Sequence, residues 1–223
     1  MKIKNKIIDL SLMFKKGMQT YHKNYHPKFK RTKLATHKTH KRELSLIQLG
    51  SHTGTHVDAP SHFIKNGKTI DQYDVSHFCG NAILINLTNK KHKSEIFIKD
   101  VEKKFKNFKG NIVIFRFDWT DKYYGKKNFF YDHPYLSVGL CKWLVKKKIK
   151  LAGFDSPQPD NPENSFTKYK DGENHKILLK NDILIMEYLT NLKKIKKKHF
   201  YFIGAPLNIQ YSDGSPARCL GIF

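Results

Sequence analysis

Residues 50–62 read Gly-Ser-His-Thr-Gly-Thr-His-Val-Asp-Ala-Pro-Ser-His, which places three histidines and one aspartate within a short segment. These four side chains are His52, His56, Asp58 and His62. Neutral imidazole and carboxylate are ligands that zinc and related divalent ions bind in proteins. The segment therefore predicts a metal-binding loop. The alternative is a polar loop in which the histidines cluster by chance.

The backbone of this segment has to bend if the histidines are to share an ion. A helix is disfavoured because Gly54, Pro60 and several β-branched residues interrupt it. In a straight strand, His52 and His56 would lie roughly 13 Å apart, whereas a histidine–metal bond is only about 2 Å long. Gly54 lies midway between the two histidines and tolerates a positive φ, so we predict that the chain turns there. Pro60 then stiffens the path to the last histidine.

The stretch from His52 to His62 resembles the HxGTHxDxPxH motif of the cyclase family, which includes the bacterial kynurenine formamidases and the isatin hydrolases. Other segments similar to the family follow in order along nearly the whole chain: 9–11, 17–18, 133–137, 153–157, 175–179, 187–192 and 205–218. Because these segments occur in the same order as in the family, a chance match of the histidine motif is implausible.

The resemblance implies a ligand role for five residues. His52, His56 and Asp58 would bind a first divalent metal, and Asp58 would bridge to a second metal held by His175 and Glu187. The cofactor that the resemblance implies is a pair of Zn²⁺ ions per subunit, with Mn²⁺ as the alternative. The residues themselves leave other roles open, because His175 precedes an apolar run and could cap a helix. Glu187 stands in an apolar strand, where an unpaired carboxylate is costly to bury and metal ligation would remove that cost.

Two further residues receive roles from the resemblance. His62 would be the catalytic acid/base, and Tyr21 falls where the formamidases carry an aromatic residue that contacts the substrate. The neighbours of Tyr21 depart from the family, since His22-Lys23-Asn24 replaces Pro-Gly-Asp and Gln19 replaces a frequent proline. The metal chemistry is therefore expected to be kept, while the substrate pocket is expected to differ.

The resemblance implies a metal-dependent amide hydrolase similar to arylformamidase, which converts N-formyl-kynurenine to kynurenine and formate. A second reading is a hydrolase that opens a cyclic amide, imide or lactone, as the isatin hydrolases do. A third reading, from the charge alone, is a basic protein that binds nucleic acid and carries its histidines incidentally. A binding protein of that kind would need no carboxylate in an apolar strand and should show arginines interleaved with aromatic residues.

Short apolar runs predict the order of elements. Runs rich in β-branched and aromatic residues predict strands at 44–49, 82–87, 112–117, 151–154, 183–188 and 200–205. The spacing of apolar residues predicts helices at 137–148 and 99–108. Residues 15–43 are predicted to form either a long loop over the site or a partly disordered segment. The mixture predicts one α/β or α+β domain over residues 1–223, around a mixed central β-sheet with flanking helices. The resemblance implies the swivelling β/β/α fold.

The net charge of +23 comes from 42 lysines and arginines against 19 acidic residues. Most of the basic residues are lysines spread along the chain, whereas arginine is favoured for bidentate phosphate and base recognition. We therefore expect only non-specific, salt-sensitive attraction to nucleic acid. The three cysteines lack CxxC spacing, which predicts free thiols.

The sequence also carries expectations about location and assembly. No segment is apolar over the length needed to span a bilayer, and the N-terminal residues do not resemble a secretory signal. The expected location is the cytoplasm, without membrane binding. The family resemblance implies a homodimer or homotetramer, with a small-molecule amide as the substrate.

Overall fold

Twelve strands and five α-helices form the regular structure of the computed structural model, which describes residues 6–21, 25–164 and 171–223. The strands are β1 (Ile7–Asp9), β2 (Lys30–Ala35), β3 (Leu44–Gln48), β4 (His56–Asp58), β5 (Cys79–Asn86), β6 (Glu95–Ile96), β7 (Ile112–Arg116), β8 (Tyr135–Leu136), β9 (Leu151–Phe154), β10 (Leu184–Glu187), β11 (His199–Pro206) and β12 (Gly214–Ile222). The α-helices are α1 (His37–His40), α2 (Ile98–Val101), α3 (Trp119–Tyr123), α4 (Val138–Lys146) and α5 (Glu173–Lys180).

Seven of these strands close into a mixed barrel. Their order is β12-β11-β5-β7-β9-β10-β4, and β4 pairs again with β12. The pairs among β5, β7, β9 and β10 are parallel, and the others are antiparallel. Strand β12 makes closure possible because residues 214–216 pair with β4 while residues 217–222 pair with β11. This closure brings the beginning of β12 beside the histidine-rich segment.

Alternate side chains of the parallel strands enter two hydrophobic cores, as the twofold periodicity of a strand requires. In β7, Ile112 and Ile114 belong to a core to which all seven barrel strands contribute. Val113 and Phe115 belong to a second core, which also contains buried residues of α4 and α5. Such continuous apolar runs are typical of strands buried on both faces.

Helix α4 begins where the sequence predicts. The Ser137 side chain accepts a hydrogen bond of 3.1 Å from the backbone N–H of Leu140 and so caps the helix. Leu140, Cys141 and Leu144 are fully buried in the second core. The predicted helix at 137–148 is therefore confirmed, with an end two residues earlier.

The predicted strands at 82–87, 112–117, 151–154, 183–188 and 200–205 are confirmed as β5, β7, β9, β10 and β11. The strand predicted at 44–49 also forms, but it pairs with β2 in a separate two-stranded hairpin and not with the barrel. Leu44, Leu46 and Ile47 of β3 remain exposed. The prediction placed no strand at β1, β2, β4, β6, β8 or β12.

Two predictions of local structure are wrong. Residues 99–108 do not form one helix, because α2 gives way to a 3-10 turn at Glu102–Phe105. The Phe105 ring packs edge-on against Trp143 and against Phe108, and this tertiary packing favours the tighter turn over a continuous helix. Residues 15–43 are not one long loop, because they contain β2 and α1. The hairpin shows no clear periodicity because five of the six residues of β2 are exposed.

Candidate metal centre

A sharp turn at Gly54 brings two histidines together. Gly54 has φ +64°, in the left-handed region, and a β-carbon at this position would lie 2.7 Å from Cε1 of Phe14. Glycine is therefore required both by the backbone conformation and by the close packing. The rings of His52 and His56 lie on either side of the turn with their centroids 4.9 Å apart. The predicted bend at Gly54 is present.

His52, His56 and Asp58 form the first of three groups in the described part of the chain that could hold a metal ion, since their potential ligand atoms all lie within 4.8 Å of one another. Oδ1 of Asp58 accepts a hydrogen bond of 2.7 Å from Nδ1 of His52 and lies 3.1 Å from Nε2 of His56. The other nitrogen of His56, Nδ1, donates a hydrogen bond of 2.8 Å to the backbone carbonyl of Gly54. This hydrogen bond fixes the orientation of the ring.

Asp58, His175 and Glu187 form the second group, and all three are buried. Strand pairing places Glu187 in β10 directly opposite His56 in β4, while α5 supplies His175. Nε2 of His175 lies 3.4 Å from Oδ2 of Asp58 and 3.2 Å from Oε1 of Glu187. Asp58 thus belongs to both groups, one oxygen facing each.

The chemistry of these residues fits a divalent cation. Within the described residues, Oδ2 of Asp58 and Oε1 of Glu187 are buried and form no hydrogen bond. A buried carboxylate oxygen without a partner is costly, and metal coordination is one of the few ways to satisfy it. These two oxygens are the ones that face Nε2 of His175. The five residues that the family resemblance implies as ligands are therefore brought together in a mixed imidazole and carboxylate set of the kind that binds divalent ions.

A sixth side chain holds His175 from outside the group. Asp160 is buried, and its Oδ2 pairs closely with Nδ1 of His175. Oδ1 of Asp160 accepts a hydrogen bond of 2.6 Å from the backbone N–H of Asn174. Sequence reasoning missed Asp160, although it lies three residues beyond the family-like segment 153–157.

His62 lies at the end of the 3-10 turn Pro60–His62. It belongs to neither of the two groups that contain Asp58. Its ring stacks on that of His52 with centroids 3.8 Å apart, and its Nδ1 lies 3.3 Å from Oδ2 of Asp213. The same Asp213 oxygen accepts a hydrogen bond of 2.8 Å from Nε2 of His52. These three residues form another group within ligand distance. Sequence reasoning missed the role of Asp213, although this residue lies within the family-like segment 205–218.

Strand pairing explains why Asp213 reaches the site. The backbone carbonyl of Asp213 accepts a hydrogen bond of 2.9 Å from Ala59, and the next residue, Gly214, pairs with Asp58. A β-carbon on Gly214 would lie 2.7 Å from Cε1 of His52. Glycine at this position therefore lets the His52 ring lie against β12.

The pKa values of the two histidines that contact Asp213 shift in opposite directions. Burial works against ionisation of His52, but the charges of Asp58 and Asp213 outweigh it and raise the pKa of His52 to about 10. Burial lowers the pKa of His62 below its ordinary value, despite the opposing effect of Asp213. In the metal-free protein, His52 is thus an imidazolium paired with carboxylates, and His62 is a neutral imidazole at neutral pH.

A cavity of about 110 Å³ opens over these residues. Aromatic side chains form much of its wall, among them Tyr21, Tyr25, Phe63 and Tyr188. Tyr21 is held in place by edge-on contact with Phe130 at a centroid distance of 5.3 Å. Tyr21 therefore lines the cavity, as a substrate-contacting residue must. The unusual residues 22–24 lie outside the described residues.

The remaining expectations concern thiols and membranes. Cys79, Cys141 and Cys219 are free, as predicted, and the last two are buried. None of the helices in the described part of the chain has both the length and the apolar character needed to span a bilayer.

Comparison with known proteins assigns the family. The family described as "Putative cyclase" matches residues 8–161. Kynurenine formamidase of Geobacillus thermodenitrificans (strain NG80-2) is 31% identical over 172 residues, covering 77% of this chain and 76% of the relative. Kynurenine formamidase of Bacillus thuringiensis (strain Al Hakam) is 30% identical over 180 residues, covering 78% and 77%. The chain belongs to the cyclase family.

The fold agrees with solved structures. Isatin hydrolase A from Ralstonia solanacearum superposes with a TM-score of 0.86 at 19% identity, covering 98% of this chain and 92% of that one. The closed mixed barrel is therefore a fold that this chain shares with the isatin hydrolase.

Proposed function

We propose that this protein is a metal-dependent amide hydrolase similar to arylformamidase, which converts N-formyl-kynurenine to kynurenine and formate. One observation carries the proposal: two groups of three ligands share Asp58 and contain two buried oxygens without hydrogen bonds, at the floor of an aromatic cavity. The similarity to kynurenine formamidases supports the same reaction.

The proposed cofactor is two divalent ions per subunit, Zn²⁺ with Mn²⁺ as the alternative. His52, His56 and Asp58 would hold one ion, and Asp58, His175 and Glu187 the other. When bound, such ions lower the pKa of water towards about 7 and polarise a carbonyl oxygen. Histidine and carboxylate ligands of this kind are typical of zinc hydrolases.

His62 is the proposed acid/base. Its Nδ1 lies within hydrogen-bond reach of Asp213, which favours the tautomer that carries the proton on Nδ1 and leaves Nε2 as the acceptor. Nε2 can then take the proton that water loses when it adds to the amide carbonyl. The same atom can return that proton to the departing amine nitrogen as the carbon–nitrogen bond breaks, so that formic acid and a neutral amine form and the acid then releases its proton to solvent as formate. A lowered pKa keeps His62 unprotonated at the start of this sequence.

The aromatic wall is the proposed binding surface for the substrate ring. Tyr21, Phe63 and Tyr188 can pack against an aryl group and exclude water from the carbonyl above Asp58. The cavity is small, at about 110 Å³. This size favours a second candidate, a compact cyclic amide such as isatin, in which the same attack opens the ring.

Purified protein loaded with Zn²⁺ or Mn²⁺ tests the proposal against N-formyl-kynurenine and isatin in parallel. Release of kynurenine and formate supports the first candidate, and ring opening of isatin supports the second. Full metal occupancy with no hydrolysis of either, or of simple aryl formamides, would overturn both. A matched control is Tyr21→Phe, which keeps the aromatic wall and should retain most of the activity.

Assembly, domain organisation and location are part of the same proposal. The protein would be one domain over residues 1–223, cytoplasmic, and a homodimer or homotetramer without a specific nucleic-acid or membrane partner. The exposed Leu34, Leu44, Leu46 and Ile47 of the β2–β3 hairpin support self-association, because apolar surface of this kind is usually covered. Light scattering that gives a monomer at all concentrations would contradict the assembly.

A further inference from the structure

The two ligand groups differ in how well their atoms are satisfied without a cation. In the group of His52, His56 and Asp58, Oδ1 of Asp58 already accepts a hydrogen bond from His52. Nε2 of His52 in turn donates to Asp213, and Nδ1 of His56 donates to the carbonyl of Gly54. A cation that enters this group has to displace one of the carboxylates from His52.

The group of Asp58, His175 and Glu187 is in the opposite condition. Oδ2 of Asp58 and Oε1 of Glu187 are the two oxygens of the described site that have no hydrogen bond. They converge on Nε2 of His175, at 3.4 Å and 3.2 Å. A cation that enters here satisfies both oxygens and displaces only their ion-pair contacts with Nε2 of His175, so binding relieves a cost that the other group does not carry.

Asp160 adds a second difference. It is buried, pairs with Nδ1 of His175 and is itself fixed by the backbone N–H of Asn174. A carboxylate on the far nitrogen of a ligating histidine fixes the tautomer, turns the other nitrogen to the metal and strengthens it as a ligand. In the other group, the partner of His56 is only the neutral backbone carbonyl of Gly54, and the carboxylate that pairs with His52, that of Asp213, is 43% exposed against 4% for Asp160.

We infer that Asp160 is a positioning residue that makes the Asp58–His175–Glu187 position the tighter of the two metal positions, so that it fills first. This inference rests on the proposed function in one respect only, namely that the centre binds two ions. Three buried carboxylates surround His175 at this position, from Asp58, Glu187 and Asp160, and their combined negative charge favours a cation there.

The test is a titration of metal-free protein with Zn²⁺ against a competing chromophoric chelator. Wild-type protein should bind two equivalents whose dissociation constants differ by at least about tenfold. Asp160→Asn, which keeps an oxygen for the Asn174 N–H, should weaken the first equivalent about 10- to 100-fold. Asp213→Asn is the matched control, because Asp213 contacts His52 of the other group, and it should leave the first equivalent unchanged.

A second pair of variants keeps the test decisive if Asp160→Asn fails to fold. His52→Ala should retain the first equivalent and lose the second, whereas Glu187→Gln should lose the first. The reverse pattern, or two equivalents of equal affinity in the wild-type protein, would overturn the inference while leaving the hydrolase proposal intact. Absence of any Zn²⁺ binding would instead overturn the proposed function itself.

Discussion

Asp213 and His62 are 151 positions apart in the sequence, yet Oδ2 of Asp213 lies 3.3 Å from Nδ1 of His62. The contact exists because β12 begins immediately after Asp213 and pairs with β4. The barrel closure therefore places a carboxylate behind the proposed acid/base, where it can orient the imidazole.

We expect Asp213→Asn to lower kcat about 10- to 100-fold with little change in KM, because an orienting carboxylate acts on the proton transfer and not on substrate binding. Steady-state kinetics on N-formyl-kynurenine or isatin measures this split. A rise in KM at unchanged kcat would mean that Asp213 contacts the substrate and does not orient His62.

His62→Ala should keep the metal content and lower kcat/KM by about 10²- to 10⁴-fold, the usual contribution of a general acid/base. His56→Ala should lose one of the two metal equivalents together with the activity, since Nε2 of His56 lies 3.1 Å from Asp58 Oδ1 within the first ligand group. Elemental analysis and kinetics on one amide substrate compare the two variants. If His62→Ala loses as much metal as His56→Ala, then His62 is a ligand.

The local geometry of the site was predictable from the sequence, and the long-range contacts were not. A bend at Gly54 follows from the span between His52 and His56, which is a short-range argument about a few residues. Asp160 and Asp213 reach the site only through the packing of α5 and the closure of β4 on β12. No periodicity of the sequence encodes which strands pair across the barrel.

The errors in the predicted strands also arise where the sequence carries no local pattern. A buried strand such as Ile112–Arg116 can be recognised from its continuous run of apolar residues, because both faces of the strand are covered. Strand β2 has mostly exposed residues, so it carries no hydrophobic pattern from which a strand could be recognised. The resemblance to the family supplied His175 and Glu187, which composition alone would not have selected.

Gly54→Ala should destabilise the protein by more than backbone strain alone. A residue with a β-carbon loses roughly 1–2 kcal/mol in the left-handed region, and at Gly54 that carbon would also lie 2.7 Å from the Phe14 ring. The ring stacks on Phe29 with centroids 5.7 Å apart, so any shift away from the added carbon disturbs that contact. Gly125→Ala is the matched control, since Gly125 has φ +87° with no atom within 4 Å of the added carbon.

Denaturant unfolding of both metal-free variants measures the difference. We expect a loss of about 1 kcal/mol for Gly125→Ala and about 2–4 kcal/mol for Gly54→Ala, with weaker metal binding in the latter only. Equal losses in the two variants would show that the loop relaxes away from Phe14 without penalty.

His133 should make the stability depend on pH in the acid range. It is fully buried, its Nδ1 donates to the carbonyl of Pro134 at 3.1 Å, and Gln158 lies 3.5 Å from its Nε2. Burial lowers the pKa of His133 to about 4, although the Pro134 carbonyl and the charge of Asp160 oppose the shift. The unfolded chain should titrate near the ordinary value of about 6.5.

Between these two pKa values the unfolded state binds a proton that the folded state does not. Stability from this group is therefore fully present above about pH 6.5 and falls as the pH drops to about 4, by about 3 kcal/mol in total. We expect the unfolding free energy of metal-free His133→Gln to fall less steeply over that range than that of the wild-type protein. His199→Gln, at an exposed position, should follow the wild-type slope. Parallel slopes for all three proteins would mean that His133 is protonated in the folded state as readily as in the unfolded chain.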